Sequence, residues 1–396
     1  MERTLFTLDW IEHPDERRRA TRELNKMGYP GGRTFRFRHH CVLGREAAIS
    51  PGKQEVFMLY VGLDVSMKRT AVCVVDAAGK VVRELSVETA PEAIVQAVRA
   101  IGGEIERLGL EAGAGTAHLA RGLAAAGLPA IVIDAGHASA ALRTGFRNKT
   151  DKNDARGIAD LMRVNKFRAV WVKSPVAQRN RALLTVREQL RAQSLDARNT
   201  MWAILQAEGF SPPGLSGPAF MALVAQTLDD PEIGPLLMPL ASVVEHVERQ
   251  VAALDRTIAS RAKADEACKR LMTVPGVGPL VALTFASGVD EPGRFRKARN
   301  VGAHFGLTPR RFQSGEIDWS GRISRAGDAG VRRALYQAAN VLIHSTKGWC
   351  ALKSWAARVA QRRGLGKAKV ALARKLAVVL HRIWTSGEVY RPRLSA

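Results

Sequence analysis

The segment Leu59-Tyr60-Val61-Gly62-Leu63-Asp64-Val65 constrains this chain most. It is apolar, too short for a buried helix, and it reads as a buried strand. It nevertheless carries a carboxylate, which is costly at the end of such a strand unless it is solvated or paired with a cation. Strands are expected at 70–76 and 81–87, joined through the turn Ala77-Ala78-Gly79-Lys80. A helix is expected from Pro91, a residue suited to a first helical turn, to Arg107. A short apolar segment then reaches Glu111, a helix covers 116–126, Ile131-Val132-Ile133 forms a strand, and helices fill 136–165. Three antiparallel strands followed by α-β-α is the order of a ribonuclease-H-like α/β fold.

Three further carboxylates stand at special places in this pattern. Glu111 lies in Leu110-Glu111-Ala112-Gly113-Ala114-Gly115-Thr116, where small residues let a ligand approach. Asp151 and Asp154 follow Thr150, a natural helix N-cap, so they share one helical face three residues apart. Two like charges on one face repel unless a cation sits between them, and oxygen-only ligands favour Mg²⁺ or Mn²⁺. Two such ions about 4 Å apart can serve the attacking and leaving oxygens of phosphodiester chemistry. Singly, each residue has an ordinary explanation as a turn residue or a helix-dipole partner; the four in order on matching elements carry more weight.

Charge divides the rest of the chain. The net charge is +23, an excess that nucleic acid usually neutralises. Residues 294–396 hold 22 Lys and Arg against Glu316, Asp318, Asp328 and Glu388, whereas 177–260 hold 7 against 9 acidic residues. That near-neutral middle contains amphipathic stretches at 177–207 and 236–268 around the break Ser211-Pro212-Pro213-Gly214. An antiparallel coiled-coil hairpin and a plain helical bundle explain it equally well. Beyond it the chain reads as helices with an irregular insertion at 309–327. Thr273-Val274-Pro275-Gly276-Val277-Gly278-Pro279 has the pattern of a helix-hairpin-helix, whose glycines turn backbone N–H groups toward a phosphate. In 307–327, Ser314, Ser320 and Ser324 are interleaved with Arg310, Arg311, Arg322 and Arg325. A serine there can attack a phosphodiester that arginines hold, or the loop can simply anchor phosphate.

Several classes are disfavoured. Cys41, Cys73, Cys268 and Cys350 have no metal or redox spacing. The chain shows neither an apolar run of about 20 residues nor a signal-peptide core, so a cytoplasmic protein without membrane contact is expected. No G-x-x-x-x-G-K-[ST] loop occurs, which argues against an ATP-driven helicase or regulator. Residues 1–57 are charge-dense and lack periodicity; they are expected to be an extension upstream of a natural start near Met58.

The motifs GLDVS (62–66), the Glu111 segment, TDKNDA (150–155), PGVGP (275–279), LTPR (307–310) and SG…GRISRAG (314–327) together resemble the DEDD-class insertion-sequence transposases and the related Piv-type DNA invertases. The resemblance spans about 58–345. It implies a RuvC-like catalytic domain at 58–172, a helical coiled-coil linker for dimerisation at 173–268 and a basic, mainly α C-terminal transposase domain at 269–396. It implies a metal-binding tetrad of Asp64, Glu111, Asp151 and Asp154 and a nucleophilic serine. The serine falls on Ser314 by its place in the S-G motif, with Ser324 and then Ser320 as alternatives. It also implies DNA binding through Gly276, Gly278, Arg310, Arg311, Arg322 and Arg325, a structured guide RNA, and homodimers that pair into tetramers. A Holliday-junction-type endonuclease using the tetrad without the serine, a DNA invertase and a non-catalytic nucleic-acid-binding protein are the other readings.

Overall fold

A computed structural model describes residues 58–139, 150–215, 217–346 and 348–392. The expectation for 1–57 lies outside them. Strands β1 (Met58–Val65), β2 (Arg69–Val75), β3 (Val81–Glu88), β4 (Glu104–Glu111) and β5 (Ala130–Ile133) form one sheet in the order β3-β2-β1-β4-β5. The first three pair antiparallel, and β1-β4 and β4-β5 pair parallel. This mixed order is the one the ribonuclease-H-like reading requires. β1 and β2 read as near-continuous apolar runs because both of their faces are covered, whereas β4 is apolar only in its second half.

One face packs on α1 (Pro91–Arg99) and α2 (Thr116–Ala125), around Leu63, Val74, Ile94, Leu108, Leu119 and Leu123. The opposite face takes α3 (Asp151–Arg163), with Ile158 and Met162 fully buried. The helix expected at 91–107 is shorter than the sequence implied. Gly102 and Gly103 adopt φ of 77° and 85°, which stops the helix and lets β4 begin at Glu104. Beyond β5, the backbone of 168–170 continues the sheet edge: Asp134 N–H donates to Arg168 and Val170 N–H to Val132.

Two long helices follow, α4 (Pro175–Ala207) and α6 (Gly234–Ala264), running antiparallel. Arg187 meets Asp255 at 2.5 Å and Arg198 meets Glu248 at 2.5 Å, so residue numbers rise along one helix as they fall along the other. The expected break between them also contains a helix, α5 (Pro218–Thr227). It closes a small core of Met201, Leu205, Phe220, Val224 and Leu237 at the far end of the pair. At the near end, Ile258 and Ala262 join the C-terminal core. That core is built by α7 (Glu266–Leu271), α8 (Pro279–Val289), α9 (Arg299–His304), α10 (Ala329–His344), α11 (Ala351–Arg363) and α12 (Leu365–Ser386). The insertion at 309–327 is not irregular. It holds an antiparallel hairpin, β6 (Pro309–Ser314) and β7 (Ile317–Ile323). Among the described residues no helix is long and apolar enough to cross a membrane.

Candidate active site

Asp64 and Glu111 end adjacent parallel strands. The register pairs Gly62 with Gly109 and Leu63 with Leu110, which sets the two carboxylates side by side at the carboxyl edge of the sheet. That edge is where open α/β sheets bind their ligands. Glycines let α3 lie directly on these strands. A Cβ on Gly62 would overlap Ala155 O and Ala159 N, and one on Gly109 would stand 2.8 Å from the Met162 side chain. Gly109, Gly62 and Glu84 stand at one level of the sheet, so with Met162 over β4, Ala155 over β1 and Lys152 and Arg156 at Glu84, α3 runs across the strands with its N-terminal turns toward β3. Thr150 caps that N-terminus, accepting from Asn153 N–H at 3.2 Å, and Asp151 and Asp154 occupy the first turn. Asp64, Glu111 and Asp154 are half-buried and Asp151 is exposed.

Two contacts fix this arrangement. Thr116 Oγ1 donates to Glu111 O at 2.9 Å and accepts from Gly113 N–H, pinning the loop after β4. Glu84 on β3 accepts from Arg156 Nη2 at 2.8 Å and pairs with Lys152 Nζ at 2.7 Å. Burial raises the Glu84 pKa, but the bonds from Lys152 and Arg156 outweigh it and hold the carboxyl below its usual range. Glu84 thus seats α3 from a strand two places away, a role that no local pattern announces.

Asp64 and Glu111 share the carboxyl edge of the sheet and Asp151 and Asp154 begin the helix that crosses it; all four supply only oxygen donors, a donor set that suits Mg²⁺ or Mn²⁺. The structure does not gather them around one point: among the described residues no three His, Cys, Asp or Glu side chains form a group that could hold a metal ion.

The three serines differ. Ser314 is exposed where β6 turns through Gly315 and Glu316 into β7. Ser320 is exposed opposite Arg311, whose guanidinium binds Asp318 with two bonds of 2.7 and 2.5 Å. Ser324 is half-buried at the hairpin base. Its N–H donates to Thr308, its carbonyl accepts from Arg310, and its Oγ accepts from Ala326 N–H at 3.4 Å. That base is tight: Arg325 has φ of 58°, and a Cβ on Gly306 would overlap the Ala326 backbone. Ser324 thus takes part in the turn, whereas Ser314 and Ser320 are both exposed on the hairpin. The hairpin strands pack extensively only on each other. Ser314 and the four carboxylates therefore belong to separate parts of the chain.

The Pro-Gly-Val-Gly turn links two helices as expected, but its glycines differ. Gly276, at φ 84°, faces α10, where a Cβ would stand 2.6 Å from Ala338 O. Gly276 is half-buried in that packing, whereas Gly278 is exposed. Arg310, Arg311, Arg322 and Arg325 are all exposed, although Arg311 is neutralised by Asp318.

A junction ties the sheet region to the C-terminal core. Asp290, at the left-handed φ of 67°, accepts from Trp171 Nε1 at 2.8 Å, Ser174 N–H at 2.8 Å and Ser174 Oγ at 2.6 Å. Lys173 Nζ donates to Gly288 O at 2.6 Å. Burial, with Arg294 and Arg181 nearby, lowers the Lys173 pKa to about 8. Lys173 and Arg181 also line an open cleft with Ala112 and Gly113, next to Glu111.

Fold and carboxylate placement define a class: a mixed α/β sheet consistent with a ribonuclease-H-like DEDD enzyme, joined to a basic helical region. Comparison with known proteins gives the family. Residues 61–208 match the model of the IS110-type DEDD transposases, and 268–355 match one described as Transposase IS116/IS110/IS902 family. The chain is 28% identical over 337 residues to the transposase for insertion sequence element IS1111A of Coxiella burnetii, covering 83% of this chain and 90% of that one. It is 28% identical over 248 residues to the transposase for insertion sequence element IS1328 of Yersinia enterocolitica, covering 61% and 74%. The chain carries the transposase domains of the IS110/IS116 family of insertion sequences.

Proposed function

We propose that this transposase cuts and rejoins DNA with Ser314 as nucleophile and Asp64, Glu111, Asp151 and Asp154 as ligands of Mg²⁺ or Mn²⁺. The observation that supports the reading is the carboxyl edge of the sheet, where Asp64 and Glu111 end neighbouring strands, together with α3, which begins with Asp151 and Asp154 and lies directly on those strands. When bound, a divalent ion there neutralises phosphate charge and acidifies an oxygen. Ser314 Oγ attacks the phosphorus of a DNA phosphodiester and loses its proton to a base. A bond from Oγ to phosphorus forms, the bond to the departing deoxyribose oxygen breaks, and that oxygen leaves as a hydroxyl. The phosphoserine ester keeps the bond in transferable form, so a second DNA hydroxyl can reverse the step.

Ser314 and the carboxylates lie on separate parts of the chain, so the centre is assembled by movement or across subunits of a homodimer or tetramer. The α4–α6 pair, near neutral and antiparallel, is read as the coiled-coil element of that assembly. Arg310, Arg322 and Arg325 hold phosphate, and a structured guide RNA is the second polyanion that the basic C-terminal region accommodates.

The test is a covalent adduct. Incubation with Mg²⁺ and DNA carrying the element's ends is expected to yield a denaturation-resistant protein–DNA product, mapped by mass spectrometry to Ser314. Ser314→Ala abolishes it and keeps DNA binding; Ser320→Ala and Ser324→Ala retain the phosphoserine. Asp154→Asn stops cleavage without lowering the melting temperature. Strand hydrolysis with no adduct would instead make the protein a metal-dependent endonuclease, and metal-independent activity would remove the tetrad.

A further inference from the structure

Cross-strand neighbours in an antiparallel pair share a face. Phe312 opposes Trp319, and Ser314 opposes Ile317 two residues along, so these four side chains make one face of the β6–β7 hairpin. Arg311, Gln313, Asp318 and Ser320 make the other, where the Arg311–Asp318 pair consumes the charge. On the Ser314 face the Phe312 and Trp319 rings stack, with centroids 4.4 Å apart and planes 20° apart. Gly321 leaves room for the indole along the strand, since a Cβ there would stand 3.0 Å from the ring. The surface is open: Phe312 is 47% exposed, Trp319 53% and Ile317 64%. A flat aromatic surface this exposed, on a hairpin whose other exposed residues are mostly polar, is not core. Arg310, Arg322 and Arg325 are exposed around it, in a region of the chain with 22 basic residues and four acidic ones.

We propose that the Phe312–Trp319 face is a stacking platform for an unstacked base of the DNA strand that Ser314 attacks. This rests on the reading of the hairpin as the DNA-facing part of the transposase. Aromatic rings and exposed arginines together match a strand that offers π-faces and phosphates in alternation. An aliphatic protein partner would need neither the stack nor the charge. A base held on Trp319 fixes the nucleotide beside Ser314 without reading its identity, because every base has a π-face. Trp319 is thereby a positioning residue for the scissile phosphate.

The experiment uses the full-length protein and two fluorescent strands of equal length, oligothymidylate and an abasic deoxyribose-phosphate chain. The wild type is expected to prefer the strand with bases. Trp319→Leu keeps apolar bulk across from Phe312 but has no π-face; it is expected to reduce that preference about tenfold and leave abasic binding unchanged. Trp319→Phe restores most of the preference. Because phosphate contacts are untouched, the salt dependence of binding stays the same. A Trp319→Leu protein that keeps the wild-type preference overturns the platform. Intact preference with a lower oligomeric mass by light scattering also overturns it, and assigns the face to a second copy of the chain. Binding of neither strand by the wild type would instead remove the DNA-facing reading of the hairpin, and the platform with it.

Discussion

The edge of the sheet and the β6–β7 hairpin carry the two halves of the proposed chemistry, and they are built in opposite ways. The carboxylates stand on elements interlocked at backbone distance, where Gly62 and Gly109 admit α3 against β1 and β4. The hairpin is exposed along its length and is anchored only at its base, through Gly306, Arg325 and Gly327. On the proposed reading the carboxylates are metal ligands, which must hold sub-ångström relations, and a rigid packed layer suits that demand. A serine that must reach a strand of DNA is placed on an element whose remaining contacts the DNA supplies. The difference teaches that position is set inside the sheet, whereas at the hairpin it is set on binding.

Breaking the interlock gives the largest effect. Gly62→Ala sets a methyl group into the Ala155 carbonyl and the Ala159 amide, backbone atoms that no side-chain rotation can move aside. The cost is expected at or above the upper end of the about 1–3 kcal/mol typical of overpacking. Thermal unfolding should show a large fall in midpoint. Gly315→Ala is the matching change in the hairpin: φ is 55° but nothing lies within 4 Å, so only local strain of about 1–2 kcal/mol is expected. Equal melting temperatures for the two variants would erase the contrast.

The next effect is on seating rather than on folding. Glu84→Gln removes the charge that holds Lys152 and Arg156, at an expected cost of about 1–2 kcal/mol given that both partners are partly exposed. Cleavage should fall further than stability does, with more Mg²⁺ needed for half-maximal rate, because α3 then settles less firmly on the sheet. Unchanged Mg²⁺ dependence would show that Gly62 and Gly109 alone fix the helix.

The sequence made the carboxylates legible because each has a local sign: the end of an apolar strand, a small-residue loop, a Thr-capped helix start. The same holds for β1 and β2, whose apolar runs reflect burial on both faces. The failures have one cause, which is that the deciding contact is distant in sequence. Glu84 meets Arg156 across 72 residues, and Ser174 meets Asp290 across 116. The packing of Gly276 against α10 links residues more than 60 apart. The hairpin looked irregular because Arg, Gln and Ser have weak strand propensity and both of its faces are exposed, so the alternation that marks a half-buried strand is missing. Family resemblance supplied the choice of Ser314, which local chemistry left open among three serines.

The smallest expected effect tests whether the two halves are joined stiffly. The Asp290 junction holds Lys173 half-buried, with its pKa lowered to about 8 by burial and by Arg294 and Arg181. An unfolded lysine titrates near 10.4. Between these values the unfolded chain binds more protons than the folded one, so stability from this group rises as pH is raised from about 8 toward about 10.4. Below about 8 the lysine is charged in both states, and its burial is a constant cost. Lys173→Met removes the titration and the bond to Gly288 O. The stability difference between wild type and variant, measured by denaturant unfolding across this range, should shift in favour of the wild type as pH rises. A difference independent of pH would mean that Lys173 titrates as it does in water and that the junction opens readily. The sheet edge and the hairpin would then be joined by a loose hinge, and the rigid half of the comparison would end at Trp171.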